Sequence, residues 1–222
     1  PSHRSVDHMT CVDYPDRDYL LPQKTLDFSR LKGSRTRVGI HLHISCVDEI
    51  KSFLSSFDQY LDDYDLYLTT SLEEEVATFG EKVKEVILVD RGLNALLAWQ
   101  KIQDRLVGYQ IAGHFEVVSF NDAIDSLLKP AKKIVAYATT NKKVGLVVSD
   151  LTVSIRTESI DEDSMWPYMA QLWNMIYPHN EKNLKKQDIY VKSATASLWY
   201  RPEALEKILS INLSALVAQD PS

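Results

Sequence analysis

The stretch that decides the fold is RVGIHLHISCVDEIKSFLSSFDQYLDDYDLYLTT, residues 37–70. In residues 37–45, large apolar side chains alternate with small or polar ones, which is the period of a β-strand. Residues 47–63 carry apolar side chains at the spacing of a helix, and residues 64–70 predict a second strand. A strand, a helix and a strand in this order are typical of two parallel strands joined by a right-handed crossover.

The same alternation of elements continues along the chain. Residues 84–90 and 109–117 predict a third and a fourth strand, and residues 71–80 and 93–108 predict the helices that precede them. Because residues 84–90 are nearly all apolar, we expect the third strand to be covered on both faces. The sequence therefore predicts an α/β fold with a mostly parallel central sheet and helices on both faces.

The second half of the chain is less regular. Residues 121–141 predict a helix that is broken or restarts at Pro130, and residues 151–164 are polar and predict a loop. The other predicted elements are a strand at 143–150, a helix at 165–177, a strand pair or one long strand at 188–200, and a helix at 201–213. Residues 1–34 are polar and irregular, which favours a linker or lead-in before a single domain at 35–222.

The composition limits the classes of function. The chain has 222 residues and a net charge of −6, and this acidic balance argues against a nucleic-acid partner. No apolar run reaches the roughly 18–20 residues that span a bilayer, so we expect no transmembrane segment. Cys11 and Cys46 lie far apart and outside any C-x-x-C motif, which favours a reduced, cytosolic setting. Because the first residue is Pro1, we expect the chain to be a piece of a longer protein.

Four common catalytic motifs are absent from the sequence. There is no G-x-G-x-x-G after a strand, no G-x-x-x-x-G-K-[ST], no H-E-x-x-H and no G-x-S-x-G. Dinucleotide binding, P-loop chemistry, zincin proteolysis and the hydrolase elbow therefore each lose support. Binding of a sugar or nucleotide-sugar, an unusual metal site, and a pure interaction domain remain open.

Polar side chains cluster where the predicted strands end. In open α/β sheets, ligands bind at the carboxyl ends of the strands. The positions that this rule selects are Ser45 and residues 69–70, 90–94 and 114–116. Each also has a structural interpretation, as a polar strand end or as a turn followed by a helix cap.

Four further candidates for ligand contact lie within or beside these positions. His41 and His43 share one face of the first strand, either to contact a ligand together or as hydrogen-bonded histidines beneath a helix. Gly92 follows the third strand and permits close approach of the backbone to a ligand. Arg91 beside it can pair with a phosphate through two parallel hydrogen bonds.

Several segments resemble, in order and spacing, the rhamnan synthesis protein F family of bacterial cell-surface polysaccharide glycosyltransferase domains. They are RVGIHLHIS, YDLYLTT, VDRGLNALLA, YQIAGHFEV, KVGLVVS and ATASLWYRPEALEKIL. The resemblance covers roughly residues 36–210, and its most specific piece is LWYRPEAL, which opens the last predicted helix. Both histidines of the first strand match the family pattern.

Other positions depart from that pattern. The family carries an Asn-Arg-Gly-Arg-Asp run, then a helix and a strand that ends His-x-His-x-Lys. Residues 90–94 here read DRGLN, and residues 114–118 read HFEVV. Residues 195–197 read TAS where family members carry Gly-Thr-Met. Loss of catalytic activity would produce such departures, and so would a changed donor specificity.

The resemblance implies a GT-A-like architecture and a nucleotide-sugar donor, for example dTDP-rhamnose or a UDP-hexose, with a glycan or glycoprotein as acceptor. In GT-A enzymes an Asp-x-Asp motif holds a divalent ion on the donor diphosphate. His114 and Glu116 would take that place here with Mn²⁺ or Mg²⁺, although one His and one Glu suit a hard ion less well than two Asp. The setting would be cytoplasmic, at the inner face of a bacterial membrane, with other domains of the parent chain as partners.

The resemblance and the strand-end rule together give a set of predicted roles. The catalytic carboxylates are Asp150, which follows the fifth predicted strand, and Glu116. The substrate-binding residues are His41, His43, Thr69, Asp90, Arg91, Asn94, His114 and Arg201. Arg201 can instead form a structural salt bridge. The alternative function is a non-catalytic module that keeps the fold and binds a glycan or a partner domain, or a domain that is active only within the full-length protein.

Overall fold

The structure, a computed structural model, describes residues 36–44, 48–72, 83–116, 123–149, 153–156, 166–178, 190–193 and 196–214. The strands are β1 (Val38–Ile44), β2 (Tyr64–Thr70), β3 (Val83–Leu88), β4 (Ala112–Glu116), β5 (Leu146–Val148), β6 (Val153–Arg156), β7 (Tyr190–Ser193) and β8 (Leu198–Tyr200). The helices are α1 (Asp48–Tyr60), α2 (Ala95–Leu106), a π-helix (Ile124–Leu128), α3 (Ala131–Thr140), α4 (Trp166–Ile176) and α5 (Pro202–Ser210).

The described strands form a six-stranded sheet in the order β3-β2-β1-β4-β8-β5 and a two-stranded sheet of β6 and β7. β1 pairs in parallel with β2 on one side and β4 on the other, and β2 pairs in parallel with β3. β8 runs antiparallel between β4 and β5. The prediction of a mostly parallel α/β sheet is therefore confirmed. The chain runs outward from β1 to β3 and then returns to the far side of β1 as β4.

Helices cover both faces of the large sheet, as predicted. On one face, alternate apolar residues of β1 such as Ile40 and Leu42 join Phe53 and Phe57 of α1 in a buried core that also includes α3. On the other face, α2 and α5 pack over Tyr67 and the neighbouring strands. The alternation in β1 thus reflects apolar side chains that face α1 and small or polar ones that face α2. The helical spacing in α1 reflects the one face of the helix that packs on the sheet.

α2 approaches β1 so closely that one position has no room for a side chain. A Cβ atom added to Gly39 would lie 2.7 Å from Cδ2 of Leu106 and 2.7 Å from Cδ2 of Tyr109. Both contacts are far shorter than normal carbon–carbon contacts of about 3.5–4.0 Å. Gly39 therefore lets α2 lie directly on the strand that carries His41 and His43.

A charged network closes the amino edge of the sheet. The carboxylate of Asp65 accepts hydrogen bonds from Arg37 at 2.5 Å, from Lys84 at 3.0 Å and from the Tyr109 hydroxyl. Burial raises the pKa of Asp65, but the hydrogen bonds from Tyr109, Lys84 and Arg37 outweigh it and hold the pKa below its ordinary value. This edge is opposite to the one at which a ligand is expected.

The predicted break at Pro130 is confirmed. Pro130 lies between the π-helix and α3, and its carbonyl accepts the first backbone hydrogen bonds of α3, including one from Ile134 at 2.9 Å. The Trp199 indole donates to the Leu127 carbonyl at 3.0 Å and so fixes β8 to the end of the π-helix. Proline supplies no backbone N–H, which accounts for the interruption.

Two sequence predictions are wrong. The third strand is not covered on both faces: β3 is an edge strand, and Leu88 is 51% exposed. β3 lies at the edge because the next strand, β4, pairs with the far side of β1. The composition of a strand does not show where the next strand pairs. The loop predicted at 151–164 contains strand β6, whose sequence VSIR has a short period of two that its polar surroundings hide.

Other predictions are refined or fall outside the described residues. The strand predicted at 143–150 is only three residues long, and the segment 188–200 divides into β7 and β8, which belong to different sheets. The lead-in predicted at 1–34, and the predicted helix at 71–80 from residue 73 onward, lie outside the described residues. The single domain at 35–222 remains a prediction.

Candidate functional site

The sheet reverses its strand order between β1 and β4. Earlier segments of the chain lie on one side of this boundary and later ones on the other. In open α/β sheets, ligands bind in the crevice at the carboxyl ends of the strands where the order reverses. The residues at those ends are His43 on β1 and Glu116 on β4, which are direct neighbours in the parallel register. The site predicted from the sequence therefore coincides with the position that the topology selects.

Four side chains at this boundary form one continuous line of hydrogen bonds, which we call the histidine chain: His43, Thr69, His41 and His114. Nδ1 of His43 lies 2.9 Å from Oγ1 of Thr69, and the same oxygen lies 2.8 Å from Nε2 of His41. Nδ1 of His41 in turn lies 2.8 Å from Nδ1 of His114. The line crosses from β2 through β1 to β4, because Thr69 and His43 are register partners, as are His41 and His114.

The imidazole of His114 is held from several sides. The indole of Trp99 on α2 stacks on it with ring centroids 4.3 Å apart and an angle of 6° between the planes. Trp99 is itself fixed by a hydrogen bond of 2.9 Å from its Nε1 to the Tyr200 hydroxyl. Nε2 of His114 lies 3.7 Å from the Glu116 carboxylate, a distance too long for a hydrogen bond. This nitrogen has no hydrogen-bond partner among the described residues.

Burial keeps all three histidines uncharged. The pKa of His41 is lowered well below its ordinary value by burial, and then by the neighbouring His114 and His43. Burial also lowers the pKa of His114, and the Glu116 carboxylate opposes this effect. The pKa of His43 is lowered by burial and by His114, against Glu116 and the backbone of Leu93, which raise it. At neutral pH each imidazole therefore carries one N–H and one bare nitrogen.

His41 and His114 were predicted to bind substrate, and the structure gives both no exposed surface. His43 is half-buried, and the Glu116 side chain is 22% exposed. Among the histidine chain and Glu116, only His43 and Glu116 therefore reach the carboxyl edge. Thr69 is buried between the histidines. The structural interpretation considered for His41, a hydrogen-bonded histidine beneath a helix, describes its geometry.

The turn after β3 places the positively charged side chain of Arg91 at the same edge. The N–H of Leu93 donates to the Asp90 carbonyl at 3.0 Å, and Gly92 adopts a φ of 86°, a conformation that favours glycine. Asp90 and Arg91 are exposed, and Arg91 has no ion-pair or hydrogen-bond partner within the described part of the chain. The turn packs beside His43 through the backbone of Leu93.

Asn94 follows this turn and caps α2. Its Oδ1 accepts a hydrogen bond of 2.9 Å from the N–H of Leu97. This is the helix-cap interpretation that the sequence offered for Asn94. The cap fixes the start of α2 next to Arg91, with the positive end of the helix dipole towards the carboxyl edge.

Two predicted residues are not brought to this edge by the described structure. Arg201 lies at the opposite, amino edge, because β8 runs antiparallel to β4 and pairs Tyr200 with Ala112. Its guanidinium donates to the backbone carbonyls of Ala138 at 2.5 Å and Val144 at 3.4 Å, so it has a structural position without a salt bridge. Asp150 lies outside the described residues.

The predicted metal pair provides few ligands. Nδ1 of His114 is engaged by His41, and its Nε2 is enclosed beneath Trp99. The described residues contain no group of three or more His, Cys, Asp or Glu side chains that could hold a metal ion. Within those residues Glu116 is left as the ligand for Mn²⁺ or Mg²⁺ at this edge, so metal binding remains a prediction.

Two residues that shape the site were missed from the sequence. The stacking of Trp99 on His114 has no signal in the sequence beyond the place of Trp99 on the helix after the third strand. Ser197 was noted only as a departure from the family pattern. Its buried hydroxyl accepts a hydrogen bond of 3.1 Å from the Glu116 N–H and fixes the backbone at the end of β4.

Comparison with known proteins gives the family. A family model described as rhamnan synthesis protein F matches residues 2–221. The chain belongs to the rhamnan synthesis protein F family. Membership of this family supports a role in polysaccharide synthesis. No curated protein matches the chain significantly.

Solved structures show only distant likeness. A CMP:2-keto-3-deoxy-manno-octonic acid synthetase complexed with CTP aligns with a TM-score of 0.47 and 11% identity, over 82% of this chain and 83% of that one. The bifunctional IspDF from Campylobacter jejuni aligns with a TM-score of 0.43 and 10% identity, over 82% of this chain and 47% of that one. Likeness this low assigns no function. No helix among the described residues is long and apolar enough to cross a membrane.

Proposed function

We propose that this domain, with a GT-A-like arrangement, binds a nucleotide-sugar at the carboxyl edge where β1 and β4 meet. It then transfers the sugar to a growing cell-surface glycan or a glycoprotein. The observation that supports this most is the coincidence of two independent features. The strand order reverses between β1 and β4, and the polar residues His43 and Glu116 end those same two strands.

The donor diphosphate lies, in this proposal, over the turn between β3 and α2. Arg91 is exposed there and has no ion-pair partner in the described part of the chain. A guanidinium can form two parallel hydrogen bonds with phosphate oxygens. The start of α2 contributes backbone N–H groups and a favourable dipole, and Asn94 holds this helix end in place. Together they stabilise the charge that develops on the leaving diphosphate.

Glu116 is the carboxylate of the described site that faces the edge from β4. It lies beside the sugar and the acceptor hydroxyl in this proposal, with its backbone fixed by Ser197. If the reaction inverts the anomeric configuration, Glu116 or Asp150 accepts the hydroxyl proton as the sugar is transferred. A bound Mn²⁺ or Mg²⁺ would neutralise diphosphate charge, and the oxygen ligands of Glu116 suit such an ion.

Calorimetry tests donor binding. The protein is titrated with UDP- and dTDP-sugars, with and without Mn²⁺, and compared with Arg91→Ala and Arg105→Ala. Arg105 is the matched control, because it is also an exposed arginine but pairs with Glu85 on another part of the surface. We expect Arg91→Ala to weaken donor binding by about 10- to 100-fold, the loss of one charge-assisted contact. Equal affinities for both variants, or no donor binding by folded protein, would contradict the proposal.

A non-catalytic module is the second candidate. It is favoured by the complete burial of His41 and His114, which leaves few exposed groups for chemistry between β1 and β4 in the described residues. Turnover separates the two: release of nucleoside diphosphate from a donor supports the enzyme. Saturable binding of an oligosaccharide or a parent-chain domain by a protein that releases none supports the module. In both cases we propose a cytoplasmic site at the inner face of a bacterial membrane.

A further inference from the structure

The histidine chain can arrange its hydrogens in three orders. A neutral imidazole has one N–H and one bare nitrogen, and a threonine hydroxyl can donate one hydrogen bond and accept two. The three contacts of 2.9, 2.8 and 2.8 Å each need one donor and one acceptor. Only one of the three orders places a hydrogen on Nε2 of His114, so a hydrogen held there determines every other hydrogen of the chain.

The three orders differ at the ends of the chain. In the first, His43 donates from Nδ1 to Thr69, Thr69 donates to His41, and His41 donates from Nδ1 to His114. His114 then carries its own hydrogen on Nε2, facing Glu116, while Nε2 of His43 is bare. In the second order every hydrogen bond is reversed, so Nε2 of His114 is bare and Nε2 of His43 carries the hydrogen. In the third, Thr69 accepts from both His43 and His41, and Nε2 is bare in both His43 and His114.

The surroundings of the two ends favour the first order. The Glu116 carboxylate lies 3.7 Å from Nε2 of His114, which is wholly buried and has no hydrogen-bond partner among the described residues, so a bare nitrogen there would face a negative charge. At the other end, the backbones of Leu93 and Thr69 favour a hydrogen on His43. Both are neutral groups beside a half-buried ring, whereas the group that faces the wholly buried His114 carries a negative charge.

We propose that Glu116, acting through the histidine chain, keeps Nε2 of His43 bare, so that His43 accepts a hydrogen bond from a sugar hydroxyl. The identity of that ligand rests on the function proposed above. Thr69 and His41 are positioning residues in this arrangement, because they transmit the order and touch no ligand. The sugar, and not the diphosphate, therefore lies against His43, and the diphosphate is left to Arg91.

The ligand-free protein tests the hydrogen order directly. Long-range proton–nitrogen NMR spectra of protein labelled with ¹⁵N-histidine distinguish a bare ring nitrogen from a protonated one. In the wild type we expect the hydrogen on Nδ1 in His41 and His43 and on Nε2 in His114. A hydrogen on Nε2 of His43 in the wild type would overturn the proposal.

Two variants test whether the order is transmitted. Thr69→Val removes the hydroxyl at nearly constant volume, and we expect the hydrogen of His43 to be no longer confined to Nδ1, because its acceptor is lost. Thr69→Ser keeps the hydroxyl and should keep the wild-type spectrum. Glu116→Gln, at a partly exposed position, should move the hydrogen of His41 from Nδ1 to Nε2, because both orders that leave Nε2 of His114 bare place it there, and it carries the comparison if Thr69→Val does not fold. A hydrogen that stays on Nδ1 of His41 in Glu116→Gln would refute transmission.

Binding measurements test the ligand assignment. His43→Leu should weaken UDP-glucose or dTDP-rhamnose about tenfold and leave UDP or dTDP unchanged, whereas His43→Gln, whose amide oxygen accepts hydrogen bonds, should restore most of the affinity. Equal weakening of the sugar nucleotide and the free nucleotide would place the diphosphate at His43 and overturn the assignment. If no nucleotide binds, the proposed function fails, while the NMR spectra still decide the hydrogen order.

Discussion

Acidification should destabilise this protein over a narrow pH range set by its buried histidines. His41 and His114 are wholly buried, and burial lowers the pKa of each below its ordinary value. In the unfolded chain the same imidazoles titrate near about pH 6.5. Below that pH the unfolded state binds protons that the folded state does not, so stability falls as the pH falls.

The size of the effect follows from proton linkage. Each histidine that stays neutral in the folded state removes about 1.4 kcal/mol per pH unit below its unfolded pKa. Between about pH 7.5 and pH 5.5, His41 and His114 together should lower the free energy of unfolding by at most about 3 kcal/mol, the value for two histidines that stay neutral over the whole range, and Glu116 reduces the share of His114. His43 adds less, because it is half-buried and Glu116 raises its pKa. A loss of this size is a large part of a typical total of about 5–15 kcal/mol.

Urea unfolding followed by circular dichroism, at several pH values across this range, measures the effect. His114→Phe is the matched variant, because a phenyl ring can keep the stack on Trp99 while it removes one titrating group. We expect this variant to lose roughly half of the pH dependence. A free energy of unfolding that stays constant from neutral pH down to about pH 5.5, or that rises, would refute the assignment of neutral buried histidines.

Three further predictions concern stability. Gly39→Ala should cost about 1–3 kcal/mol in urea unfolding, because the added methyl group meets the Leu106 side chain at 2.7 Å; a neutral result would mean that α2 moves freely away from β1. Trp199→Phe should cost about 2 kcal/mol, because the buried Leu127 carbonyl loses its indole donor, and amide exchange in the π-helix should accelerate. Asp65→Asn should cost about 1–2 kcal/mol near neutral pH, and this difference should begin to shrink below about pH 4, the ordinary pKa of an unfolded aspartate, and vanish only at the lower pH where the folded wild-type carboxylate is itself protonated.

The sequence predicted most of the fold because the main signals are local. The alternation in β1 and the apolar spacing in α1 reflect burial within a few residues, and both elements lie where they were expected. The edge position of β3 could not be predicted, because it depends on which side of β1 the chain takes after α2. The three-residue strand β5 and the strand β6 were misjudged because short strands carry few periods of alternation.

The candidate site was predicted in outline and not in geometry. The rule for strand ends selected Thr69, His114 and Glu116, and the parallel register places them on the two strands that flank β1. It could not show that His114 is enclosed, because the enclosing residue, Trp99, comes from a helix whose rotation over the sheet is set by packing. Arg201 was grouped with the site from the family resemblance, whereas the antiparallel direction of β8 carries it to the other edge.

Burial of the histidine chain is difficult to explain by stability alone. An apolar core of the same volume would not lose stability on acidification, and replacing buried polar networks with well-packed apolar groups is often neutral or stabilising. His41 and His114 also contact no solvent, so they do not improve solubility. What the chain adds is a fixed geometry and a defined hydrogen order at His43 and Glu116, the two groups that reach the carboxyl edge. Fixed donors and acceptors at a ligand edge are a requirement of recognition and catalysis, which is why we assign this part of the sheet to function.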